Sequence, residues 1–300
     1  MAEWLKAPAW KACILLKVSR VRIPFSPPNE RKIMNKIYDC VTYFNENLQL
    51  ELRFNILNKY VHKFIVCEAK QDHKGKKKSI NFNIRNFSHL KDKIIHIICE
   101  EFPKELNPWQ RQAFQREFIF KGLDEAKDED YIIFSDPDEI PNPKKLINIK
   151  LKKKYGIFMQ KSFCYKINLF NKYESPWAGS RIVKKKNIKS IDWLRQKVLV
   201  KNLKYLWFRF DKEKNIELVN DGGWHFNNLM NPKKISLKLK TFAHTEYESN
   251  KFSHLSIVKE KILNREDLFN RNFVYDKIYL DKSFPEYIIK NQKKYKEWII

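Results

Sequence analysis

Hydrophobic and polar positions alternate in two distinct patterns along the chain from residue 36 onward. Short apolar, β-branched runs predict β-strands, and the amphipathic stretches between them predict helices. The first amphipathic stretch runs from Glu46 to Tyr60, with apolar residues recurring every four positions. A second helix is predicted from Pro108, a residue tolerated in a first helical turn, to about Glu125. The predicted strands are KIYDCVTY (36–43), VHKFIVCEA (61–69), KIIHIIC (93–99) and YIIFSD (131–136).

This order of elements predicts an α/β fold with a mostly parallel central sheet flanked by helices. Strands that alternate with helices form parallel sheets, and nearly continuous apolar strands indicate burial on both faces. Ligands bind at the carboxyl ends of the strands in such sheets. After Gly156 the segment YGIFMQKSFCYKINLF suggests a long bent strand or a hairpin, and a helical tail is predicted from about Pro232 to the end.

The sequence contains no internal repeat and no linker, so we expect one domain over residues 34–250, with residues 251–300 as a C-terminal helical extension packed on it. Residues 1–33 lack clear periodicity and contain Ser-Pro-Pro near their end, at 26–28. A transit peptide has a similar composition. The segment also resembles the conceptual translation of a transfer-RNA gene, which would make Met34 the start. We therefore treat residues 1–33 as a non-native or disordered extension.

Charge leaves the partner open. The chain has 60 Lys and Arg against 35 Asp and Glu, a formal net charge of +25. A basic protein of this kind could bind nucleic acid, an anionic membrane or an acidic substrate. The lysine runs, however, contain no arginine and little aromatic interleaving, unlike surfaces on which bases stack. We therefore expect no nucleic-acid partner, and a basic, non-catalytic nucleic-acid or membrane-surface binding protein is the alternative reading.

Cysteine usage and hydropathy bear on location. The five cysteines form no CxxC pair, which indicates neither a disulfide framework nor a zinc site. Three of them lie in predicted strands, where cysteine acts as a small buried hydrophobe. No stretch approaches the roughly 20 apolar residues that span a bilayer. The expectation is a cytoplasmic protein, with peripheral contact at the inner face of the membrane also open.

The acidic turn SDPDEIP, residues 135–141, carries the strongest chemical signal. An apolar strand leads into Asp136, Asp138 and Glu139, and Pro137 keeps the backbone extended. Clustered carboxylates need a cation or several hydrogen-bond donors to neutralise them, and hard oxygen ligands favour Mg²⁺ or Mn²⁺. The alternatives are a solvated turn or Asp136 as the cap of a short helix.

This turn resembles the Asp-x-Asp-Glu-Ile-Pro motif of glycosyltransferase family 17, the family of β-1,4-mannosyl-glycoprotein β-1,4-N-acetylglucosaminyltransferases and their bacterial relatives. Other segments resemble the family in order and spacing, over roughly residues 36–250. They are FNE (44–46), EAKQDHKGK (68–76), WQRQAFQR (109–116), WAG (177–179), GGWHF (222–226) and FAHTEY (242–247).

The resemblance implies a GT-A fold, a divalent metal ion (Mn²⁺ or Mg²⁺), and inverting transfer of N-acetylglucosamine or a similar sugar from a UDP-sugar donor. Metal-ion catalysis suits this chemistry, because the leaving diphosphate develops negative charge. By this resemblance Asp138, with Asp136, would hold the metal, and Asp136 would also face the ribose or a metal-bound water.

Further donor contacts follow from the same resemblance. Asn45, Glu46 and Glu68 would lie where the uridine rests, although Asn45 is equally suited to cap a helix. Arg111 or Arg116 would reach the diphosphate or order the acidic turn, with surface salt bridges as the competing reading. Trp109 is expected to be a core anchor.

The remaining candidates lie late in the chain. His225 or His244 would complete the metal shell, with Asp221 or Glu246 as the general base. The pair Gly222-Gly223 would let the backbone approach a ligand closely. Trp177 and Trp224 suit stacking on a sugar, although core packing is the commoner use of tryptophan.

Three departures from the family pattern affect these expectations. The loop after Glu68 is unusually rich in lysine, which bears on the details of the donor loop. Pro137 stiffens the triplet but leaves both carboxylates, so the metal site should survive. The membrane anchor and stem of the eukaryotic relatives are not recognised here, which favours a surface polysaccharide or lipid-linked saccharide acceptor over an N-glycan. A phosphoryl or nucleotidyl transferase would also use an acidic strand end, but the sequence has no GxxxxGK[ST] loop.

Overall fold

The computed structural model describes residues 35–241 and 249–300. Seven α-helices occur in these residues: α1 (Asn47–Leu57), α2 (Pro108–Glu117), α3 (Ile191–Lys197), α4 (Pro232–Thr241), α5 (Asn250–Ser253), α6 (Leu255–Asn264) and α7 (Glu286–Lys290). The strands are β1 (Ile37–Tyr43), β2 (Lys63–Ala69), β3 (Ile94–Cys99), β4 (Tyr131–Ser135), β5 (Glu139–Pro141), β6 (Tyr155–Cys164), β7 (Leu169–Phe170), β8 (Trp177–Lys184), β9 (Ile216–Asn227) and β10 (Asp276–Lys277). These elements belong to one compact unit, residues 35–300.

The ten strands form one mixed sheet. Its main order is β10-β7-β6-β8-β4-β1-β2-β3, with β9 paired to both β5 and β6. Strands β3, β2, β1 and β4 are parallel neighbours. Strand β8 is antiparallel to both β4 and β6. The predicted α/β fold with flanking helices is thus confirmed. The sheet is mixed rather than mostly parallel: the four strands that the sequence predicted are parallel neighbours and β9 is parallel to β6, but the other strand pairs are antiparallel.

Side chains of β1, which lies between β2 and β4, alternate between two hydrophobic cores, as the pleat of a strand requires. Ile37, Val41 and Tyr43 face the core that contains α1. Tyr38 and Cys40 face the other core, which contains residues of α3 and of the 3₁₀ turn at Phe118–Gly122. Burial on both faces explains why the strand reads as an almost uninterrupted apolar run.

The predicted boundaries differ from the observed ones in a few places. Helix α2 begins at Pro108 as expected, because Asn107 and Gln110 form a capping box, but it ends at Glu117 and continues as a 3₁₀ turn. The hairpin reading of residues 155–170 is confirmed by the antiparallel pairing of β6 with β7. The C-terminal tail contains four helices and also strand β10 among its described residues.

Two further expectations concern single residue types. Cys40, Cys67 and Cys99 are buried and unpaired in the core, as predicted. Trp109 was expected to be a core anchor, but its side chain is 47% exposed; it stands in the first turn of α2, and the interior face of this helix is formed by Gln115 and Arg116. In the part of the chain that the structure describes, no helix is long and apolar enough to cross a bilayer.

Candidate active site

A cavity of about 430 Å³ opens at the carboxyl ends of the parallel strands. Its walls include Tyr43 at the end of β1, Ala69 at the end of β2 and the acidic turn that follows β4. Helix α4 contributes Lys238 and Thr241 from another side. The cavity therefore occupies the edge of the sheet that the strand order predicted for a ligand.

The acidic turn is fixed by backbone pairing with β9. Glu139 stands opposite His225 in the antiparallel β5–β9 pair. The backbone N–H of Phe226 donates a 2.8 Å hydrogen bond to the carbonyl oxygen of Asp138. This pairing brings GGWHF against SDPDEIP, although the two segments lie more than 80 residues apart in sequence.

Gly223 makes the close approach possible. Its φ angle is +133°, a backbone conformation that residues with a Cβ atom rarely adopt. A Cβ atom at this position would lie 2.1 Å from the carbonyl oxygen of Ile140. The glycine pair was expected to admit a ligand, and what it admits in this structure is the backbone of the acidic turn itself.

Two arginines neutralise the first carboxylate of the turn. Arg195 Nη2 lies 2.6 Å from Asp136 Oδ2, and Arg116 Nη2 lies 3.5 Å from Asp136 Oδ1. Burial alone would raise the pKa of Asp136, but the charges of Arg195 and Arg116 lower it. Arg116 also contacts Asp192 at 2.7 Å, so it connects the turn to helix α3.

The carboxylate of Glu139 is bound by other side chains of the protein. It is almost fully buried, and Arg195 Nη2 contacts its Oε1 at 2.7 Å. The indole Nε1 of Trp177 donates to the same oxygen at 2.7 Å. The third carboxylate of the cluster is thus saturated by protein donors, so it serves to position Arg195 and Trp177.

Asp138 faces a different set of groups. Its Oδ1 lies 3.7 Å from His225 Nε2, and its Oδ2 lies 3.7 Å from Lys238 Nζ. Both distances exceed those of ordinary hydrogen bonds. Burial would raise the pKa of the Asp138 carboxyl, yet the neighbouring His225 and Lys238 charges hold it well below its usual range. The pKa of His225 is raised by Asp138 against the opposing effect of burial.

Trp177 completes this wall of the cavity. Its ring stacks on His225 with the ring centroids 4.6 Å apart and the planes 20° from parallel. Because Glu139 accepts its Nε1 hydrogen, the ring has a fixed orientation. The structure therefore places Trp177 and His225, both candidates from the sequence, together beside Asp138 in one cavity.

The donor-side candidates are distributed more widely. Glu46 lines the cavity, and its Oε2 accepts hydrogen bonds from the backbone N–H groups of Phe44 and Asn45. Glu46, rather than Asn45, is the N-cap residue of α1, and its side chain makes no capping hydrogen bond. The side chain of Asn45 instead accepts a 3.2 Å hydrogen bond from Lys234.

Glu68 lies fully buried behind the cavity wall. Its Oε1 contacts Lys78 Nζ at 2.5 Å and accepts the N–H of Asn81, while its Oε2 accepts the N–H of Phe82. Burial would raise the pKa of Glu68, but its interaction with His96, together with these hydrogen bonds, lowers it. These contacts order the lysine-rich loop after β2, whose Lys78 and Asp72 line the cavity.

Arg111 and Arg116 have different surroundings although both lie on α2. Arg111 packs on Gly75 and donates to the carbonyl oxygen of His73 at 3.2 Å, so it braces the loop after β2. Arg116 contacts the acidic turn. The side of α2 that lines the cavity is formed by Gln112 and Gln115.

Two candidates lie in a separate cavity of about 500 Å³. Asp221 and Trp224 line this second cavity together with residues of α7, and none of its lining residues is shared with the first. Trp224 donates its Nε1 hydrogen to the carbonyl oxygen of Ser283. Neighbouring side chains on a strand point to opposite faces, which explains why His225 lines the first cavity and Trp224 the second. Trp224 is therefore a packing residue rather than a sugar contact of the first cavity, and Asp221 is not placed to act there.

His244 and Glu246 lie outside the described residues. The last described residue before them, Thr241, lines the first cavity.

The donor set of the cavity limits what metal site it can form. In residues 35–241 and 249–300, no group of three or more His, Cys, Asp or Glu side chains is arranged to hold a metal ion. Asp138 and His225 present one carboxylate and one imidazole side by side. A carboxylate suits Mg²⁺ or Mn²⁺, and such an ion commonly keeps water or substrate phosphate oxygens as its other ligands. The residues present thus fit a metal ion whose remaining coordination positions are filled by water or by phosphate oxygens of a bound substrate.

The sequence pattern did not indicate three cationic residues that contact the acidic turn, Arg195, Lys238 and Arg53. Arg195 lies 59 residues after Asp136, on a seven-residue helix that has no distinctive motif. The only sequence signal was Ser190, which caps that helix by accepting the N–H of Trp193.

Comparisons with a family model and with individual proteins indicate the same family. The sequence model of Glycosyltransferase family 17 matches residues 27–297. The human and rat proteins named beta-1,4-mannosyl-glycoprotein 4-beta-N-acetylglucosaminyltransferase are each 24% identical over 131 residues, which is 40% of this chain. The match covers 25% of the human protein and 24% of the rat protein, so the chain spans about a quarter of the length of these relatives.

Among solved structures, S. aureus TarS 1-349 aligns with a TM-score of 0.33 and 13% identity, over 79% of this chain and 73% of that one. Glucosyl-3-phosphoglycerate synthase from Mycobacterium tuberculosis, in complex with Mn²⁺, UDP and phosphoglyceric acid, aligns with a TM-score of 0.36 and 11% identity. That alignment covers 85% of this chain and 91% of the synthase.

Proposed function

Because the chain belongs to glycosyltransferase family 17, we propose that it is a metal-dependent, inverting enzyme that moves N-acetylglucosamine or a similar sugar from a UDP-sugar to a saccharide acceptor. The human and rat relatives are named as N-acetylglucosaminyltransferases, which supports this choice of sugar. Membership of an enzyme family disfavours the alternative of a non-catalytic basic binding protein.

One observation carries the proposal. Asp138 and His225 lie 3.7 Å apart in the wall of a cavity at the carboxyl ends of parallel strands, and Lys238 lies 3.7 Å from Asp138. Such a site can receive a nucleoside diphosphate, whose negative charge needs both a divalent cation and nearby positive groups. A cavity of about 430 Å³ lies in the size range of small-molecule sites.

Each group on this wall has a proposed part in donor binding. A bound Mn²⁺ or Mg²⁺ would neutralise the charge that develops on the leaving diphosphate. Asp138 and His225 would hold that ion, and Lys238 would contact a phosphate oxygen. Arg195 and Arg116 keep Asp136 ionised and fixed, so that Asp136 can accept a hydrogen bond from the ribose or from a metal-bound water. Glu46 would contact the nucleoside from the end of β1.

The acceptor reacts on the side of the sugar opposite the diphosphate. Its hydroxyl oxygen forms the new bond to the anomeric carbon as the bond from that carbon to the diphosphate oxygen breaks, which inverts the configuration. A carboxylate must take the hydroxyl proton. We assign this role to Glu246, five residues after Thr241, because Asp221 lines the other cavity. Trp177 would stack on a sugar ring.

The acceptor we propose is a surface polysaccharide or a lipid-linked saccharide, met at the cytoplasmic face of the membrane. A basic protein is attracted to the anionic lipids of that face. The excess of Lys and Arg over Asp and Glu, 60 against 35, supports this location.

The test measures UDP release from UDP-N-acetylglucosamine by the full chain, with and without Mn²⁺. Slow, Mn²⁺-dependent hydrolysis is expected, together with its loss in Asp138→Asn. The matched control is Asp124→Asn, which changes an exposed carboxylate outside the cavity. If no nucleotide-sugar gives either turnover or a Mn²⁺-dependent rise in Tm, the proposed donor chemistry is wrong.

A further inference from the structure

An exposed loop between α3 and β9 concentrates large apolar side chains. Within residues 203–214, here called the aromatic loop, six of them are exposed: Leu203, Tyr205, Leu206, Trp207, Phe208 and Phe210. Trp207 is 80% exposed and Phe210 is 86% exposed. Single exposed apolar residues are ordinary on a protein surface, but a contiguous group of this size marks an interaction site.

Both ends of the aromatic loop are fixed to the protein core. Asn202 is buried and donates a 2.6 Å hydrogen bond to the carbonyl oxygen of Lys197. The carbonyl oxygen of the buried Val198 accepts a hydrogen bond from Arg181. On the other side, buried Ile216 begins β9 in register with Tyr155 of β6. The exposed side chains of the loop are therefore held between two segments that are anchored in the core.

Contacts inside the aromatic loop keep its apolar residues on the outside. Asp211 contacts Arg209 at 2.8 Å and Lys212 at 2.9 Å. The guanidinium of Arg209 also lies 5.5 Å from the ring centroid of Tyr205. The backbone N–H of Arg209 donates to the carbonyl oxygen of Leu206. These local interactions satisfy polar groups within the loop and leave Trp207 and Phe210 directed to solvent.

The positive charge of the loop favours an anionic partner. Basic residues are interspersed with the apolar ones and outnumber the two acidic residues of the loop, Asp211 and Glu213. The basic residues of the loop are Lys204, Arg209, Lys212 and Lys214, and Lys201 lies two residues before it. Interface cores between proteins are depleted in lysine. Trp and Tyr with flanking Lys and Arg are instead characteristic of segments that lie in the headgroup region of a bilayer.

We propose that the aromatic loop docks the protein on an anionic lipid bilayer, with Trp207 and Phe210 inserted among the headgroups and the neighbouring lysines against anionic lipid. The inference deepens the membrane location proposed above, and it depends on neither the donor nor the metal. Burial of apolar rings and attraction of lysines to anionic lipid would then act together.

The test uses sedimentation of the full chain with vesicles of phosphatidylcholine alone and of equal parts phosphatidylcholine and phosphatidylglycerol. Wild type is expected to bind the anionic vesicles and to bind the neutral ones much more weakly. Trp207→Ser/Phe210→Ser should weaken anionic binding by about tenfold or more, because two apolar rings leave the bilayer. The matched control, Leu263→Ser/Tyr279→Ser, removes side chains that are 82% and 90% exposed elsewhere, and it should bind as wild type does.

Two further variants examine charge and insertion separately. Lys201→Ser/Lys204→Ser alters one lysine in the loop and one two residues before it. It should weaken binding to the anionic vesicles more than Lys259→Ser/Lys293→Ser, which alters exposed lysines far from the loop in sequence. Brominated lipid should quench part of the tryptophan fluorescence of wild type, and Trp207→Phe should lack that part while it still sediments with the vesicles.

The proposal is overturned if wild type does not bind anionic vesicles, or if the loop variant binds them as tightly as its control. It is also overturned if Trp207→Ser/Phe210→Ser leaves vesicle binding intact but converts an oligomer to a monomer, because the patch would then be a protein interface. UDP-sugar hydrolysis measured without vesicles should be unchanged by the loop variants. A failure of vesicle binding is thereby distinguished from a failure of the proposed enzyme activity.

Discussion

The guanidinium of Arg53 donates a 2.6 Å hydrogen bond from Nη1 to the backbone carbonyl oxygen of Glu139, and so supports the acidic turn from beneath. The same side chain forms two hydrogen bonds with the carboxylate of Asp39 in β1, at 2.6 and 2.7 Å. It also donates to Ser135 Oγ at the end of β4. Both charged side chains are fully buried. One arginine on α1 thus joins the first strand, the fourth strand and the candidate active site.

Replacing Arg53 should destabilise the protein severely. Arg53→Met leaves Asp39 buried without its partner, which typically costs about 3–5 kcal/mol of unfolding free energy. Urea denaturation of the variant and wild type measures this difference. The double variant Asp39→Leu/Arg53→Met removes both charges and should recover much of the loss. Arg85→Met, at an exposed arginine, is the control. A loss below 1 kcal/mol for Arg53→Met would contradict the buried-pair argument.

Arg195 should matter for activity beyond its charge. Arg195→Lys keeps a cation but cannot contact Asp136 and Glu139 together in the planar geometry of a guanidinium. We expect the rate of UDP-sugar hydrolysis to fall by roughly tenfold or more, because the acidic turn loses its fixed position. The assay is steady-state UDP release, with Arg85→Lys as the matched control. Equal rates for the two variants would show that Arg195 does not position the turn.

His225 should set the affinity for the metal. Removing its imidazole in His225→Gln leaves Asp138 as the remaining proposed ligand on the described wall. The Mn²⁺ concentration that gives half-maximal activity should then rise by roughly tenfold or more. Titration of UDP release with Mn²⁺ gives this value, and a Mn²⁺-dependent Tm gives it without turnover. His89→Gln alters an exposed histidine and should behave as wild type. An unchanged titration would remove His225 from the metal site.

The Asp267 carboxylate should make stability depend on pH. Burial would raise the pKa of Asp267, but hydrogen bonds from Arg271 and from the backbone N–H of Phe269 lower it. A carboxyl whose folded pKa is depressed contributes stability above its unfolded pKa of about 3.9 and loses that contribution as pH falls through the folded pKa.

Asp267→Asn should therefore lower the unfolding free energy by about 2 kcal/mol at neutral pH, where hydrogen bonds to the charged group are lost. The difference from wild type should shrink as the pH is lowered below the unfolded pKa. Urea denaturation across this range measures both effects. Asp124→Asn, an exposed carboxylate, serves as the reference. A difference that grows toward low pH has the wrong sign and would refute the assignment.

Much of the fold follows from local patterns. The four parallel strands and the first two helices begin within a few residues of their predicted positions, because burial on one or both faces imposes a periodicity that is visible in the sequence. The capping box at Asn107 fixed the start of α2 in the same local way. The end of α2 was predicted less well, since the continuing 3₁₀ turn carries apolar residues of the same character.

The candidate site was predictable only where its residues lie in a recognisable motif. His225 and Trp177 were found through GGWHF and WAG, and the structure brings both beside Asp138. Trp224 and Asp221 lie in those or adjacent segments but line the other cavity. Strand alternation turns Trp224 away from His225, and the left-handed backbone of Asp221, with φ of 50°, precedes the close approach at Gly223.

The sequence by itself determined the α/β arrangement, the family and the position of the acidic turn at the end of a buried strand, because these depend on local periodicity and on a contiguous motif. Only the tertiary structure decided which cations neutralise that turn. Arg53 and Arg195 reach Glu139 across 86 and 56 residues of sequence, from helices without a motif. Pairing between buried charges depends on where the helices pack on the sheet, and that packing is a property of the whole chain.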